Sequence, residues 1–300
     1  MKYSDSFESS VREFLSSKKS LKRFETYVKH ETGARYTQIV KYVLPEMEHH
    51  FGELKDFTVL DYGCGTGATT VALAEKCRFV CAADIDDKSL KICELRLKEH
   101  KVEERVKILN INNLHNEIKD EKFDIVLLNG VIEHIPLSDK NLRNKVIRDA
   151  FSFVKQGGHL YINDTPCRLW PKDIHTTNLW FISYLKPGSM PAYRYAVRFG
   201  RHFEDPQNKL SGKSLEIRGA WGSHYWEIIN SLRGLKYHCL NLDDGHNRRI
   251  FYRQESRIKR MILENTAYIF AVKILDIPIT AFSSYINNLI FKKTGKDSLN

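Results

Sequence analysis

Three hundred residues, 42% of them apolar, can bury a large core as one domain with insertions or as a domain plus a cap. The formal net charge of +10 is uneven: residues 1–160 carry 26 Lys and Arg against 25 Asp and Glu, and residues 161–300 carry 21 against 12, so the basic excess lies in the carboxy-terminal half and suits either a solvated surface or an anionic partner. The six cysteines form no Cys-x-x-Cys pair and no Cys/His cluster at zinc spacing and read as reduced thiols in a cytosolic protein, and Met1 to Ser20, polar and charged, shows no visible signal peptide.

In chain order, residues 5–22 and 35–50 have apolar side chains at helical intervals, among them Phe7, Val11, Phe14 and Leu15. Thr58 to Leu60 suits a buried parallel strand. It runs through Asp61 into Gly63, Gly65 and Gly67, residues that tolerate positive φ or a close ligand. A small-residue helix, Ala68 to Lys76, follows, with its first amides toward that turn. Phe79 to Asp84 reads as a second strand ending in an acid. Val106 to Ile111 reads as a third, ending at Asn112, and Phe123 to Asn129 as a fourth, running into Gly-Val-Ile-Glu-His-Ile135. The helix of residues 140–154 is expected to stop at Gly157-Gly158, with His159 to Asn163 as a fifth strand. Alternating strands and helices predict a parallel sheet with helices on both faces.

After Asp164 the rhythm breaks. Residues 165–220 gather Trp170, Trp180, five prolines and, at the boundary, Trp221, and read as an insertion or cap. Ser223 to Arg233 returns to helix, Leu235 to Leu240 to strand, residues 250–275 to helix and Tyr285 to Lys292 to a last strand. Met261 to Phe291 is apolar, but Lys273, Asp276 and Pro278 interrupt it, so burial is favoured over a spanning helix. A peripheral contact through Arg257, Lys259, Arg260, Lys292 and Lys293 is the alternative.

Asp61-x-Gly63-x-Gly65-x-Gly67, the acid Asp84 and the Phe123-Asp-Ile-Val…Glu133-His134 run resemble, in order, the motifs of class I S-adenosylmethionine-dependent methyltransferases. The resemblance implies a Rossmann-like, doubly wound seven-stranded α/β sheet with an antiparallel terminal strand and helical cap insertions. It implies that Asp61, Gly63, Gly65, Gly67 and the Asn129 region line the cofactor. Asp84 would accept from both ribose hydroxyls, Ile85 would pack on the adenine and Asn112 would bind the adenine amino group. Asp is commoner at that last position, though the Asn carbonyl oxygen also accepts. Arg35 and Tyr36 correspond to positions that touch the methionine carboxylate in some relatives.

The run Thr165-Pro-Cys-Arg-Leu-Trp-Pro-Lys-Asp-Ile-His-Thr-Thr177 and the ending Ile277 to Ile286 look similar to methyltransferases found with bacterial surface-polysaccharide genes, with Cys167 where that group often has Asn. The organisation expected is amino-terminal helices covering the cofactor site over 1–50, a core over 51–166, a substrate-binding insertion over 167–222 and completion of the sheet over 223–300.

Methyl transfer from a sulfonium is an in-line displacement that depends on positioning and needs no metal; a hydroxyl acceptor also profits from a base. His134 and His175 are the candidates, with Asp173 able to orient His175 if the chain turns between them. Arg168 and Lys172 could hold an anionic group and Trp170 could stack on a sugar, or the whole stretch could be structural. The reading is a cytoplasmic enzyme, with a peripheral contact at the inner membrane face left open, that methylates a hydroxyl of a sugar or of a phosphorylated, lipid-linked glycan. An RNA methyltransferase of ribose or base is the alternative, weakened for base amino groups by the absence of an Asp/Asn-Pro-Pro-aromatic loop after the fourth strand. A non-catalytic binding module and a dehydrogenase are further alternatives; the intact glycine loop with Asp84 opposes the first, and the Glu-His loop opposes the second.

Overall fold

The computed structural model describes residues 3–16, 24–200, 212–240, 266, 269–275, 277–278, 281 and 283–295. Its strands are β1 (Thr58–Tyr62), β2 (Phe79–Asp84), β3 (Val106–Asn110), β4 (Phe123–Asn129), β5 (Val154–Asn163), β6 (Thr165–Pro166), β7 (Tyr237–Cys239), β8 (Tyr285–Ile286) and β9 (Leu289–Lys293). Seven form one sheet in the order β3-β2-β1-β4-β5-β9-β7, and β6 pairs with β8 in a second, two-stranded sheet. β1 is parallel to β2 and β4, β2 is parallel to β3, and β9 is antiparallel to both β5 and β7. This is the expected doubly wound sheet with an antiparallel terminal strand.

The chain divides into two compact units, one holding the residues up to Asn129 with Phe153–Lys155, the other holding Gly130–Ser152 and the described residues from Gln156 onward. In the first, Val80 to Ala83 of β2 and Val59 and Leu60 of β1 are fully buried, as strands covered on both faces require. The register sets Asp84 beside Asn110 and Asp61 beside Leu127, bringing the polar strand ends to one carboxyl edge. At the opposite end Asp124 accepts from the Thr58 amide and hydroxyl, each at 2.7 Å, and from the Lys155 ammonium at 2.9 Å.

The helix Asp5–Ser16 buries Phe7, Val11 and Leu15 against Val28 and Ile92. It is described as far as Ser16, and residues 17–22 of the helix expected to reach 22 lie outside the described residues. Residues 24–51 are two helices that meet at a kink, the second beginning beside the expected residue 35 and running to Phe51. The run contains two wide π turns, and Gly33, at φ 171 and ψ −50, kinks it. Arg96 locks this run to the glycine turn: wholly buried in the helix Asp87–His100, it donates to the carbonyls of Thr66 and Glu31, both at 2.8 Å, and to the Glu31 carboxylate at 3.1 Å. Thr66 donates its hydroxyl to the same carboxylate at 2.6 Å.

In the second unit, Leu137, Leu179, Ile182, Ala192, Ala196, Leu215, Ala220 and Trp221 form the core of the insertion. The Trp221 indole donates to the Leu185 carbonyl at 2.9 Å, which satisfies its N–H inside that core.

Three boundaries differ from expectation. The helix before β5 stops at Ser152 and the strand starts at Val154, so Gly157-Gly158 lies inside β5. Gly157 takes a φ of +78 there, which glycine admits without ending the strand. β3 ends at Asn110 because the Asn110 side chain accepts from the Asn112 amide at 3.0 Å and caps the helix Ile111–Glu117, drawing Asn112 into its first turn. The last strand is two: Asn288, at φ +54, separates β8 from β9. The return to helix after residue 222 is observed as Tyr225–Ser231. Residues 250–265 of the expected helical insertion, with Arg257, Lys259 and Arg260, lie outside the described residues. Among the described residues no helix is long and apolar enough to cross a membrane.

Candidate functional site

The carboxyl edge of the first unit is built around three glycines in the left-handed region, Gly63 at φ +87, Gly65 at +55 and Gly67 at +81. The turn is fastened from β2: the Gly63 and Cys64 amides donate to the Ala83 carbonyl at 2.7 and 3.0 Å, and the Gly65 amide donates to Asp84 Oδ2 at 2.8 Å. Asp84 Oδ1 accepts from the Asp86 amide at 2.9 Å. Each carboxylate oxygen retains acceptor capacity beyond one backbone bond, so the residue that latches the turn can also receive hydroxyls.

The glycines do different jobs. A Cβ on Gly67 would stand 2.4 Å from Cys93 Sγ, so Gly67 lets the turn lie flat on the helix Asp87–His100. A Cβ on Gly65 would meet nothing within 4 Å, so the space above that turn is open. Ile85, beside Asp84, is 67% exposed despite its size. Open space over a glycine, an acid at the end of the next strand and an uncovered apolar side chain beside it fit an adenosyl ligand, and S-adenosylmethionine is the cofactor these residues suit.

The remaining expected cofactor residues are placed as follows. Asn112 is exposed at the start of its helix, and Asn110, which the motif reading passed over, donates to Asp87 Oδ1 at 2.7 Å and to the Ile85 carbonyl at 3.3 Å. Asn129 turns inward, its amide donating to Thr69 Oγ1 at 3.2 Å. Asp61 is 1% exposed and accepts from the Thr70 hydroxyl at 2.7 Å; burial pushes its carboxyl up to about 6. Arg35 reaches Glu31 at 3.4 Å, and Tyr36 donates to Glu75 at 2.6 Å. Burial pushes the Glu31 carboxyl up, but the His30 imidazole and the Arg35 and Arg96 guanidiniums outweigh it and hold the group well below the usual carboxylate range. All six cysteines are buried and unbridged, and burial pushes the Cys77 and Cys81 thiols up to about 12, which leaves them as inert packing groups.

In the second unit, the loop after β4 and the insertion bring His134 and His175 together with ring centroids 5.8 Å apart. His134 Nδ1 lies 2.8 Å from the Ile217 carbonyl, which can only accept, so Nδ1 carries the proton and Nε2 is the basic nitrogen of the neutral ring. Nε2 stands 3.8 Å from Glu133 Oε1. His175 Nδ1 lies 3.2 Å from the Tyr285 hydroxyl.

The chain does turn at Asp173, but that carboxylate accepts the amides of His175, Thr176 and Thr177 and the Thr177 hydroxyl. The orientation expected of it acts on the main chain, and the ring's partner is Tyr285, hidden from sequence because it lies far along the chain. Arg168 lies 3.7 Å from Glu227, a carboxylate it shares with Arg143, so one negative charge faces two guanidiniums. Lys172 sits over the Trp180 ring, 5.7 Å from its centroid, and Trp170 is half-buried.

Residues 53–184 match the family model of a methyltransferase domain. The sheet order and the turn between β1 and the following helix are those of the methyltransferase fold expected from the motifs. A ubiquinone biosynthesis O-methyltransferase of Bordetella avium is 29% identical over 157 residues, 47% of this chain and 61% of that protein. The enzyme of the same name from Nitrosomonas europaea is 29% identical over 112 residues, 37% of this chain and 45% of that protein. The chain therefore spans about half the length of the curated relatives it matches. Among solved structures, an S-adenosylmethionine-dependent methyltransferase from Clostridium acetobutylicum is similar at 20% identity with a TM-score of 0.40, over 53% of this chain and 63% of that one.

Proposed function

We propose that this protein is an S-adenosylmethionine-dependent O-methyltransferase. The observation that carries the proposal is the glycine turn latched by Asp84 beneath open space, within a domain that matches a methyltransferase family. When bound, the cofactor supplies a methyl group on a sulfonium, an electrophile that a positioned hydroxyl oxygen can take. Gly65 lets the ligand approach the backbone, Asp84 accepts its ribose hydroxyls and Ile85 covers one face of its adenine. His134, with Nδ1–H held by the Ile217 carbonyl, offers Nε2 for the acceptor proton, and His175 is the second candidate.

For the acceptor we propose a hydroxyl of a sugar or of a phosphorylated, lipid-linked glycan, supported by the run Thr165 to Thr177 and by the basic carboxy-terminal half. A second reading, favoured by the names of the relatives, is a hydroxyl on an intermediate of ubiquinone biosynthesis. Methyl-labelled cofactor offered with sugar nucleotides, lipid-linked sugars, phenolic quinone precursors and RNA separates these. Label in a glycan fraction supports the first reading, label in the phenolic fraction replaces it with the second, and label in RNA overturns both.

A further inference from the structure

Glu133, His134 and His175 form the one group among the described residues in which three His, Cys, Asp or Glu side chains each offer a donor atom within 4.8 Å of the others. We propose that these three residues bind a first-row divalent transition-metal ion, with Zn²⁺ the best match to their chemistry. The sequence shows no Cys/His cluster at zinc spacing, and methyl transfer as such requires no metal.

The donor set decides the class of ion. Two imidazoles and one carboxylate suit Zn²⁺, Mn²⁺, Fe²⁺ or Co²⁺ and disfavour Mg²⁺ and Ca²⁺, which take oxygen ligands. Three protein donors leave at least one coordination position open, as in catalytic rather than structural zinc sites. At bond lengths of about 2 Å, donors on one ion stand roughly 3 to 3.4 Å apart. The observed 3.8 Å between His134 Nε2 and Glu133 Oε1 closes to that range with a small side-chain movement.

The surroundings are arranged as a ligand set needs. His134 gives its Nδ1–H to the Ile217 carbonyl at 2.8 Å, which fixes the tautomer that leaves Nε2 as the donor; a backbone carbonyl in that role is the usual orienting partner of a metal-bound imidazole. The Tyr285 hydroxyl lies 3.2 Å from His175 Nδ1 and orients that ring. Two glycines in the left-handed region shape the carboxylate's seat. A Cβ on Gly219 would stand 3.0 Å from Glu133 Cγ and 3.1 Å from His175 Cδ2, and one on Gly130 would stand 3.4 Å from Glu133 Oε1. Glu133 is 1% exposed whereas the His134 side chain is 48% exposed, so an ion can enter from the imidazole side and meet a buried carboxyl group, which gives up its proton on binding. The nearby Arg143 guanidinium is engaged by the Glu227 carboxylate and by the Gly222 carbonyl, which limits its competition for Glu133.

Occupancy would change the role of His134, since an Nε2 lone pair bound to a cation cannot take a proton. The inference concerns binding alone and holds whichever acceptor the enzyme uses.

The test is a titration of chelator-treated full-length protein with Co²⁺, followed by its visible absorption, and with Zn²⁺, followed by calorimetry and thermal unfolding. The expected result is one ion per chain, a cobalt absorption band displaced by Zn²⁺, and a midpoint that rises with ion concentration. His134→Ala and His175→Ala should each weaken binding by about 100-fold while unfolding at the midpoint of the ion-free parent. Tyr285→Phe should weaken it by about 10-fold, as loss of an orienting partner does. If Glu133→Gln fails to fold, the two histidine variants still decide the question. Absence of a cobalt band in the parent protein, or a band of unchanged affinity in both histidine variants, overturns the proposal.

Discussion

The glycine turn of the first unit and the histidine pair of the second are made in opposite ways. The glycine turn is assembled from neighbours: Gly63, Gly65 and Gly67 share one turn, and Asp84, their latch, ends the adjoining parallel strand. The histidine pair is assembled from strangers, with His134 after β4, His175 in the insertion, Tyr285 in β8 and the Ile217 carbonyl at a helix end. A site made by one turn and the strand beside it tolerates change elsewhere in the chain. A site made by four distant segments depends on all of them, so substitutions should separate the two.

The largest expected effect is on turnover. If His134 Nε2 is the base, His134→Ala lowers kcat by about 10²- to 10⁴-fold with cofactor affinity unchanged, measured under saturating cofactor. An equal loss in His175→Ala would show the pair acting as a unit, and no loss in either would remove both from the chemistry.

Inside the turn, Gly67→Ala and Gly65→Ala should differ sharply. The first drives a Cβ into Cys93 at 2.4 Å and should cost about 2–4 kcal/mol of stability, read from denaturant midpoints. The second meets open space and should cost only the positive-φ strain, about 1 kcal/mol, while weakening cofactor binding. Equal stability losses would contradict the division of labour between these glycines.

Two buried carboxylates should give opposite pH dependences. The Glu31 carboxyl is held down in the fold, so its contribution is present above the unfolded-state value of about 4.3 and is lost as the pH falls. Glu31→Gln should destabilise the protein at pH 7 by about 1–3 kcal/mol and flatten that acid limb. The Asp61 carboxyl is raised to about 6, so the folded state keeps a proton that the unfolded chain has released, and stability falls as pH rises between about 4 and 6. Asp61→Asn should remove that slope and raise the midpoint modestly at pH 7, with no gain at pH 4. Superimposable pH–stability curves for parent and variant would reject the assignment.

Legibility followed the same division. β1, β2, β4 and the glycine turn were readable because continuous apolar runs ending in an acid or a glycine leave few alternatives. The end of β3 was misplaced because an Asn side-chain cap competes with strand extension, and Gly157-Gly158 misled because a glycine pair stops a helix and kinks a strand with equal ease. The clamp of Glu31, Arg96 and Thr66 carried no signal, since a buried arginine on an amphipathic helix looks like any solvated one. His134 and His175 were readable as chemistry but not as neighbours, and Tyr285 was readable only as a strand residue.

The most direct test of the central claim is calorimetric titration of the parent protein and of Asp84→Ala with S-adenosylmethionine, S-adenosylhomocysteine and NAD. The account predicts that both adenosyl ligands bind the parent, that NAD does not, and that Asp84→Ala stays folded but loses about 100-fold or more in affinity, as removal of a charged hydrogen-bond acceptor implies. Binding of NAD alone, or unchanged affinity in Asp84→Ala, would contradict it.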